Sequence, residues 1–226
     1  MAISRRSKPD YSSIVLVSGY CGQTRFLEHL GYPIRQVPID VDETRLAGEQ
    51  PKDHVLRISE NMARSAFEQY PRALVIGSYQ SAVCLSPEGH DSGMKTIGSV
   101  PESLLRKSIY EKPGTSSRAR AFLSDFSGRS VTIYTAACVI GMQWDVEVFF
   151  GAGDKSELHF RELNDKEIRH YVEIDNPVDR VGCLKLESYG ASLLREAEFT
   201  DFSLPFGLPL ISLTDSLRKL GIIGSD

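Results

Sequence analysis

Residues 73–85 read ALVIGSYQSAVCL. The apolar run from Ala73 to Ile76 predicts a buried strand that stops at a Gly77-Ser78 turn, with Tyr79 directly after it. Apolar strands that stop at such a turn often deliver a polar catalytic group at their tip. The stretch therefore has three interpretations: a working site with an unusual residue, a site that has lost its chemistry, or an ordinary strand with a buried tyrosine.

Strand and helix patterns alternate on the N-terminal side of this stretch. IVLVSG (14–19) is a continuous β-branched run, which is typical of a buried strand of parallel type. The following patterns predict a helix over 22–31 that ends at Gly31, a strand over 32–40, an acidic loop over 41–51 and a helix over 51–70.

The alternation continues on the C-terminal side, after an excursion. Residues 86–108 are rich in Gly, Ser and Pro and predict a surface loop inserted into the domain. Asn164 with Glu167 three residues later fits a capping box at the start of a helix. The other patterns predict helices over 115–128, 165–174 and 206–221, strands over 130–141, 144–151 and 156–163, and a loop that passes into a strand over 176–194. This order predicts an α/β fold with a mixed sheet.

Composition and charge narrow the classes of partner. The 226 residues carry a net charge of -4, which gives no electrostatic footprint for duplex nucleic acid. The basic N-terminus leads into an apolar run too short for a signal sequence or a membrane span. The four cysteines form no C-x-x-C pair, as expected of buried thiols in a reducing compartment. We expect a cytoplasmic protein with a flexible N-terminus over 1–12 and a single domain over 13–226.

Two turn-rich segments near the N-terminus could carry chemistry. The strand-to-helix turn SGYCGQTR (18–25) could bind a phosphate through backbone N–H groups. Asp40, Asp42 and Glu43 in the DVDE loop could hold Mg²⁺ through carboxylate oxygens. The structural alternatives are a plain turn and a solvated acidic loop.

Two further segments place charged side chains at defined backbone positions. In YEKPG (110–114), the proline holds Lys112 in an extended conformation that could aim its ammonium into a cleft. In KLESYG (185–190), Lys185 and Glu187 are two residues apart in a strand pattern, so they would share a face and pair. The alternatives are a surface turn and a solvent-facing ion pair of little energetic value.

The order and spacing of these patterns resemble the Maf family of nucleoside triphosphate pyrophosphatases. The resemblance runs from Leu16 to Leu213, apart from the 86–108 excursion. The segments that carry it are LVSGYCGQTRFLEHLGY, IDVDET, HVLRISENMARSA, VIGSYQSAV, YEKPG, FSGRSVTIYTA, FRELNDKEIRHYV, VGCLKLESYG and FGLPLISL. The G-S-x-Q turn, the K-x-E-x-x-G segment and the G-L-P-L-I ending are similar to the branch that hydrolyses 7-methyl-GTP.

This resemblance implies a fold and a reaction. The implied fold is α/β with a mixed, bent sheet flanked by helices, of the Maf/inosine triphosphatase-like type, with a cleft between two lobes and often a homodimer. The implied reaction is attack of water at the α-phosphorus of a non-canonical nucleotide with release of pyrophosphate, assisted by Mg²⁺ or Mn²⁺. Such chemistry needs cations on the phosphates, an acidic group for the metal or the water proton, and a shaped base pocket.

The resemblance also implies roles for individual positions. The expected catalytic positions are Glu43, Tyr79, Lys112 and Glu187, of which Glu43 is also the expected metal ligand. The expected substrate-binding residues are Ser18, Arg25, Ser78, Gln80 and Lys185.

Several of these positions depart from the family pattern. Tyr79 stands where the family has an aspartate, Met62 stands where it has a lysine, and Arg25 is the only possible substitute for its paired arginines. A phenol, whose ordinary pKa is near 10, is a poor anion at neutral pH and a weak Mg²⁺ ligand. We therefore expect Tyr79 not to act as a base.

Three hypotheses about function follow. In the first, the protein is an active nucleotide pyrophosphatase in which Glu43, Glu187 or another carboxylate of the DVDE loop acts as the base and the metal ligand. Alternatively, it is a catalytically inactive Maf-like protein that still binds a nucleotide. In the third hypothesis it is an interaction protein that acts through residues 86–108. Losing one well-placed proton-accepting or electrostatic group commonly costs two to four decades in rate, which keeps the second hypothesis open.

Overall fold

A computed structural model of the chain describes residues 11–19, 21–87, 105–143 and 145–223. It contains strands and α-helices in an alternating order, joined by short 3₁₀ helices and turns. In chain order, these elements are β1 (Ile14–Val17), β2 (Ile34–Val37), α1 (Pro51–Gln69), β3 (Leu74–Pro87), β4 (Leu105–Tyr110), α2 (Ser116–Phe126), β5 (Ser130–Gln143), β6 (Val146–Phe160), α3 (Asp165–Asp175), β7 (Leu194–Phe199) and α4 (Leu210–Lys219).

The strands form one mixed sheet of seven strands. Its order is β2-β1-β3-β5-β6-β7, and β4 pairs with β3 off this path. β1 pairs in parallel with both β2 and β3, whereas β4 pairs antiparallel with β3 and β7 pairs antiparallel with β6. The predicted α/β fold with a mixed sheet flanked by helices is confirmed.

β1 shows why a continuous apolar run was needed in the sequence. All four of its residues are fully buried. Ile14 and Leu16 pack in a cluster that includes Leu213 and Leu217 of α4, whereas Val15 and Val17 pack in a cluster that includes residues of α1. A strand covered on both faces has no position left for a polar side chain, so its sequence reads as a run and not as an alternation.

The chain forms two compact units. The first takes the residues up to Tyr79, residues 136–153 and the residues from Phe206 onward, and the second takes residues 80–135 and 154–205. The core of the second unit includes the fully buried rings of Phe126, Phe160 and Tyr171. β3, β5 and β6 each contribute residues to both units.

The predicted Gly-Ser turn at the end of the apolar run is wrong. Gly77 and Ser78 lie within β3, which continues to Pro87. β1 pairs with β3 as far as Gly77, and β4 pairs with it from Ala82 onward, so hydrogen-bonded partners carry the strand through the glycine. Gly77 is needed for another reason, because a Cβ there would lie 2.2 Å from the backbone oxygen of Ser59 in α1.

Two other predicted strand boundaries are also wrong. The strands predicted over 144–151 and 156–163 form one strand, β6, which pairs with β7 in its C-terminal part. The ends of the predicted 86–108 loop belong to β3 and β4, which pair with each other up to Pro87 and Leu105. The rest of that loop lies outside the described residues. In both cases, pairing with a neighbouring strand overrides the local preference of Gly, Ser and Asp for turns.

The smaller differences concern helix type and the ends of elements. The helix predicted over 22–31 consists of two 3₁₀ helices, Cys21–Phe26 and Glu28–Leu30, closed by i→i+3 hydrogen bonds such as that from the Leu27 N–H to the Thr24 oxygen. It ends at Gly31 with a φ of 75°, as predicted. The strand predicted over 32–40 shortens to β2, and the helix predicted over 206–221 narrows to α4.

Other predictions about the ends and caps of elements have mixed outcomes. The capping box at Asn164 and Glu167 is confirmed at the start of α3. Residues 1–10 of the predicted flexible N-terminus lie outside the described residues, and Tyr11 is buried. Among the residues that the structure describes, no helix has both the length and the apolar character that a membrane span requires.

Candidate functional site

In the first unit, the structure brings together two of the predicted catalytic residues. The Tyr79 hydroxyl of β3 donates a hydrogen bond of 2.9 Å to Oε2 of Glu43, which is exposed on the loop after β2. The ring of His54 lies edge-on to the Tyr79 ring, with the two centroids 5.7 Å apart. The phenol that replaces the expected aspartate therefore acts as a hydrogen-bond donor to the nearest candidate base.

The loop that carries Glu43 is anchored to α1 by the carboxylate of Glu49, whose side chain is 7% exposed. Glu49 accepts two hydrogen bonds from the Arg57 guanidinium, of 2.6 and 2.8 Å. Arg57 Nη2 also donates to the backbone oxygen of Thr44, at 2.9 Å, next to Glu43. The hydrogen bonds from Arg57 lower the pKa of Glu49 to about 2, so the anchoring pair stays charged at neutral pH. Sequence reasoning missed this pair, since Glu49 and Arg57 lie in different predicted elements.

The acidic loop does not assemble a metal cage on its own. Asp42 Oδ1 accepts a hydrogen bond of 2.9 Å from the Thr44 N–H. Hydrogen bonds from the Thr44 side chain and from its backbone lower the pKa of Asp42. Glu43 Oε2 accepts the hydrogen bond from the Tyr79 hydroxyl. The described part of the chain contains no cluster of three or more His, Cys, Asp or Glu residues suited to a metal ion. Mg²⁺ commonly uses one or two carboxylates together with substrate phosphates, and Glu43 fits that kind of shared site.

The other predicted residues of the first unit serve different purposes. Ser18 follows β1 and is nearly buried, and its backbone oxygen accepts from Gln36 Nε2 at 3.0 Å. The buried Ser78 hydroxyl donates to the backbone oxygen of Gly207. Arg25 lies exposed on the 3₁₀ helix Cys21–Phe26. Of these three, only Arg25 brings a full positive charge.

Buried neutral side chains lie at one position and in one region where the resemblance implies cations. Gln23, in the region of the expected arginine pair, is 2% exposed and donates from Nε2 to the backbone oxygen of Phe206 at 2.9 Å. Met62, at the expected lysine position, packs in the apolar cluster between β1 and α1. These two side chains contribute to the packing of the unit and offer no charge to a phosphate.

In the second unit, Gln80 and Lys112 have contrasting surroundings. Gln80 Nε2 donates to Thr135 Oγ1 at 3.0 Å and to the backbone oxygen of Leu204 at 2.9 Å. Lys112 is exposed in the turn that follows β4. That turn is held by the Gly114 N–H, which donates to the Val178 oxygen at 2.9 Å. Gln80 is thus fixed, and Lys112 projects from a fixed backbone.

Lys185 and Glu187 lie in residues 179–190, which we call the charged segment. Lys185 Nζ lies 3.6 Å from Oδ1 of Asp179, and Arg180 Nη2 donates to Glu187 Oε1 at 2.5 Å. The predicted strand is wrong here, because the segment consists of turns and short 3₁₀ helices. Without a strand the two-residue period disappears, and Lys185 and Glu187 pair with other residues of the same segment.

Asp179 and Arg180 were missed by sequence reasoning. They form a D-R pair that lies six and five residues before Lys185, within a stretch that the sequence predicts only as a loop. The two opposite-charge pairs they complete make the charged segment electrostatically balanced within itself.

Comparison with known proteins assigns the chain to a family. The sequence pattern of a family described as Maf-like protein matches residues 13–220. The chain belongs to the Maf-like protein family. Two relatives named 7-methyl-GTP pyrophosphatase are each 34% identical to this Maf-like protein. The relative from Alkalilimnicola ehrlichii aligns over 220 residues, 94% of this chain and 96% of its own, and that from Pseudomonas aeruginosa over 210 residues, 92% and 97%.

A third relative from Idiomarina loihiensis, with the same name, is 34% identical over 216 residues, covering 92% of this Maf-like protein and 95% of the relative. The resemblance inferred from the sequence motifs is therefore confirmed at the level of the family, and the matches extend over nearly the whole chain.

Proposed function

We propose that this Maf-like protein hydrolyses 7-methyl-GTP, or a closely related non-canonical nucleoside triphosphate, to the monophosphate and pyrophosphate. The observation that carries the proposal is the match of three relatives named 7-methyl-GTP pyrophosphatase over 92–94% of the chain. The charged segment supports it, because Lys185 and Glu187 stand where the 7-methyl-GTP branch of the family has a cation and an acid.

In the proposed reaction, a water oxygen attacks the α-phosphorus, the bond from that phosphorus to the bridging oxygen breaks, and pyrophosphate leaves. The water proton passes to a carboxylate, for which Glu43 is our candidate base. The Tyr79 hydroxyl would orient that carboxylate through its hydrogen bond to Oε2. Tyr79 is then a positioning residue, since a neutral phenol accepts no proton under these conditions.

The remaining predicted residues have binding roles in this proposal. Arg25 and Lys112 would supply positive charge to phosphate oxygens, and Ser18 and Ser78 would bind the substrate. Gln80, Lys185 and Glu187 would contact the nucleoside. Mg²⁺ or Mn²⁺ would be held by Glu43 together with phosphate oxygens and would neutralise their charge.

A specific observation favours a second candidate function, nucleotide binding without turnover. Tyr79 replaces the expected aspartate and donates to Glu43, and the buried Met62 replaces the expected lysine. With both groups changed, the first unit retains the frame of a phosphate site with fewer charges. Losses of this size commonly remove several decades of rate even where effects are not additive.

Pyrophosphate release distinguishes the two candidates. Purified protein is incubated with 7-methyl-GTP or GTP and with Mg²⁺ or Mn²⁺, beside Glu43→Ala, Tyr79→Asp and the exposed control Glu28→Ala. We expect slow release from 7-methyl-GTP that Glu43→Ala lowers at least about 100-fold and that Tyr79→Asp raises about tenfold or more, because it restores a carboxylate. Nucleotide binding without pyrophosphate release would favour the second candidate. A protein that neither binds nucleotide nor releases pyrophosphate would contradict both candidate functions.

We further propose that the protein works in the cytoplasm and forms a homodimer. Cys84, Cys138 and Cys183 are free and buried, which suits a reducing compartment. Burial raises the pKa of the Cys84 and Cys138 thiols to about 11, so neither would be a reactive thiolate. The homodimer rests on the family resemblance, and sedimentation equilibrium would test it by giving twice the mass of one chain.

A further inference from the structure

A single buried carboxylate of α3 holds the C-terminal end of the charged segment. Asp175 is 7% exposed, and its Oδ1 accepts a hydrogen bond of 2.7 Å from the Ser188 hydroxyl. Its Oδ2 accepts a hydrogen bond of 3.1 Å from the Gly190 N–H. Both oxygens of one side chain thus accept hydrogen bonds from two of the three residues that follow Glu187.

A buried phenol of the same helix holds the middle of the charged segment. The Tyr171 hydroxyl donates to the backbone oxygen of Cys183 at 2.8 Å and accepts from the Lys185 N–H at 3.0 Å. Tyr171 is fully buried, and burial raises its pKa, so it stays a neutral donor and acceptor. Removing this hydroxyl would leave the half-buried Lys185 N–H and the buried Cys183 carbonyl without this partner.

The backbone around these two anchors has a constrained shape. Gly182 and Cys183 have φ values of 69° and 54°, in the left-handed region that a residue other than glycine rarely adopts. A Cβ at Gly190 would lie 2.6 Å from the backbone oxygen of Lys185, so the segment folds back closely on itself. Such conformations persist only where surrounding contacts enforce them, and Tyr171 and Asp175 supply those contacts.

Lys185 and Glu187 therefore project from a backbone that is fixed on both sides. The Arg180–Glu187 hydrogen bond and the Lys185–Asp179 ion pair then restrict the two charged heads themselves. A recognition site gains affinity when its groups are ordered before the ligand arrives, because binding then loses less conformational entropy.

We propose that Tyr171 and Asp175 are positioning residues for recognition of the purine base, acting through Lys185 and Glu187. The proposal rests on the proposed function and deepens it. The methylated guanine carries a positive charge and N–H donors, both of which a correctly aimed carboxylate complements. Neither Tyr171 nor Asp175 needs to touch the nucleotide, since each acts by fixing the segment that does.

The test compares Tyr171→Phe and Asp175→Asn with two matched controls. Tyr110→Phe removes another buried phenol hydrogen bond of the same unit, from Tyr110 to Asp125 at 3.2 Å. Glu173→Gln changes an exposed carboxylate of the same helix. Two quantities are measured on the full chain: amide hydrogen exchange of residues 185–190, and the KM and kcat for 7-methyl-GTP.

We expect exchange in residues 185–190 to rise about tenfold in Tyr171→Phe and Asp175→Asn, as a typical lost hydrogen bond implies. The KM for 7-methyl-GTP should rise about tenfold in both variants. The kcat should stay within about twofold, because the charged segment is proposed to contact the purine base and not the reacting phosphate. Both controls should leave the exchange of these residues and the KM unchanged.

Several results would overturn the proposal. Unchanged exchange in both variants would show that α3 does not fix the segment. If Tyr110→Phe increases the exchange and the KM equally, the effect is general destabilisation of the unit. If exchange becomes faster while the KM stays unchanged, the segment is not linked to recognition of the base. If the wild type neither binds nor cleaves nucleotides, the proposed function fails, and the exchange result still decides whether Tyr171 and Asp175 fix the segment.

Discussion

Tyr79 and Glu43 together determine what the first unit can offer to a nucleotide. A carboxylate at position 79 would have placed a second negative charge near Glu43, suited to a shared metal ion. The phenol replaces that charge with an O–H that donates to Glu43 at 2.9 Å. Sequence comparison with the family indicated the loss of the acid, but only the structure shows that the replacement contacts the candidate base.

Glu49 gives a residue-scale prediction with a defined pH dependence. Glu49→Gln should lower the free energy of unfolding at pH 7 by about 1–3 kcal/mol, since it removes charge-assisted hydrogen bonds to Arg57. The folded-state pKa of Glu49, about 2, lies below its ordinary value of 4.5. The stabilisation is therefore present above about pH 4.5 and is lost as the pH falls towards 2.

Denaturant unfolding at pH 7, 5 and 3 would check this dependence on Glu49. The difference between wild type and Glu49→Gln should narrow as the pH falls from 5 to 3. Glu60→Gln is the control, because Glu60 pairs with Arg64 at the surface and such pairs contribute less than about 1 kcal/mol. A difference that stays constant across the three pH values would contradict the assignment to the Glu49 carboxylate.

At the scale of secondary-structure elements, the contact of β3 with α1 depends on the missing side chain of Gly77. Gly77→Ala would place a Cβ 2.2 Å from the Ser59 oxygen and 2.7 Å from the Ala63 nitrogen, so helix and strand would have to separate. We expect a loss of about 2–4 kcal/mol in the free energy of unfolding. Gly31→Ala is the control, since its Cβ would meet open space and only its φ of 75° would cost about 1 kcal/mol.

The elements also show where the sequence was informative and where it was not. Patterns that depend on local interactions were predicted well, such as the capping box at Asn164 and the Gly31 helix end. Patterns that depend on a distant partner were not. β6 reads as two strands because Gly151 and Asp154 favour a turn locally, but pairing with other strands keeps the segment extended.

The same distinction applies to the candidate site. Lys185 and Glu187 were found from the sequence, but their partners Asp179 and Arg180 were not. The pairing depends on left-handed backbone at Gly182 and Cys183, which no side-chain periodicity reports. The anchoring of the loop that carries Glu43 by Glu49 and Arg57 was missed for a similar reason, because a loop and a helix supply the two groups.

For the whole molecule, membership of the family was predictable and the balance of charges at the site was not. The family match covers residues 13–220, in agreement with motifs spread from Leu16 to Leu213. The two compact units contain different shares of the predicted residues: Glu43 and Tyr79 in the first, and Lys112, Lys185 and Glu187 in the second. Many weak motifs together thus identify the family, whereas the differences from the family pattern lie at single positions.

The lack of a metal-ligand cluster among the described residues leads to a prediction for the intact protein. By isothermal titration calorimetry, Mg²⁺ alone should bind weakly, with a Kd in the millimolar range, because Glu43 offers one carboxylate. The affinity for Mg²⁺ should rise when 7-methyl-GMP and pyrophosphate are present. Tyr79→Asp should raise the affinity for Mg²⁺ about tenfold in the absence of nucleotide. Micromolar binding of Mg²⁺ to the wild type alone would contradict this view of the site.

Cys183, whose backbone is in the left-handed region, also provides a chemical probe of local opening of the chain. Its thiol is fully buried and burial raises its pKa, so an alkylating reagent reaches it only when the surrounding backbone opens. Cys183 directly follows Gly182, and its backbone oxygen accepts the hydrogen bond from the Tyr171 hydroxyl. The rate at which iodoacetamide modifies the peptide that contains Cys183 therefore measures how often this part of the chain opens, without any introduced label.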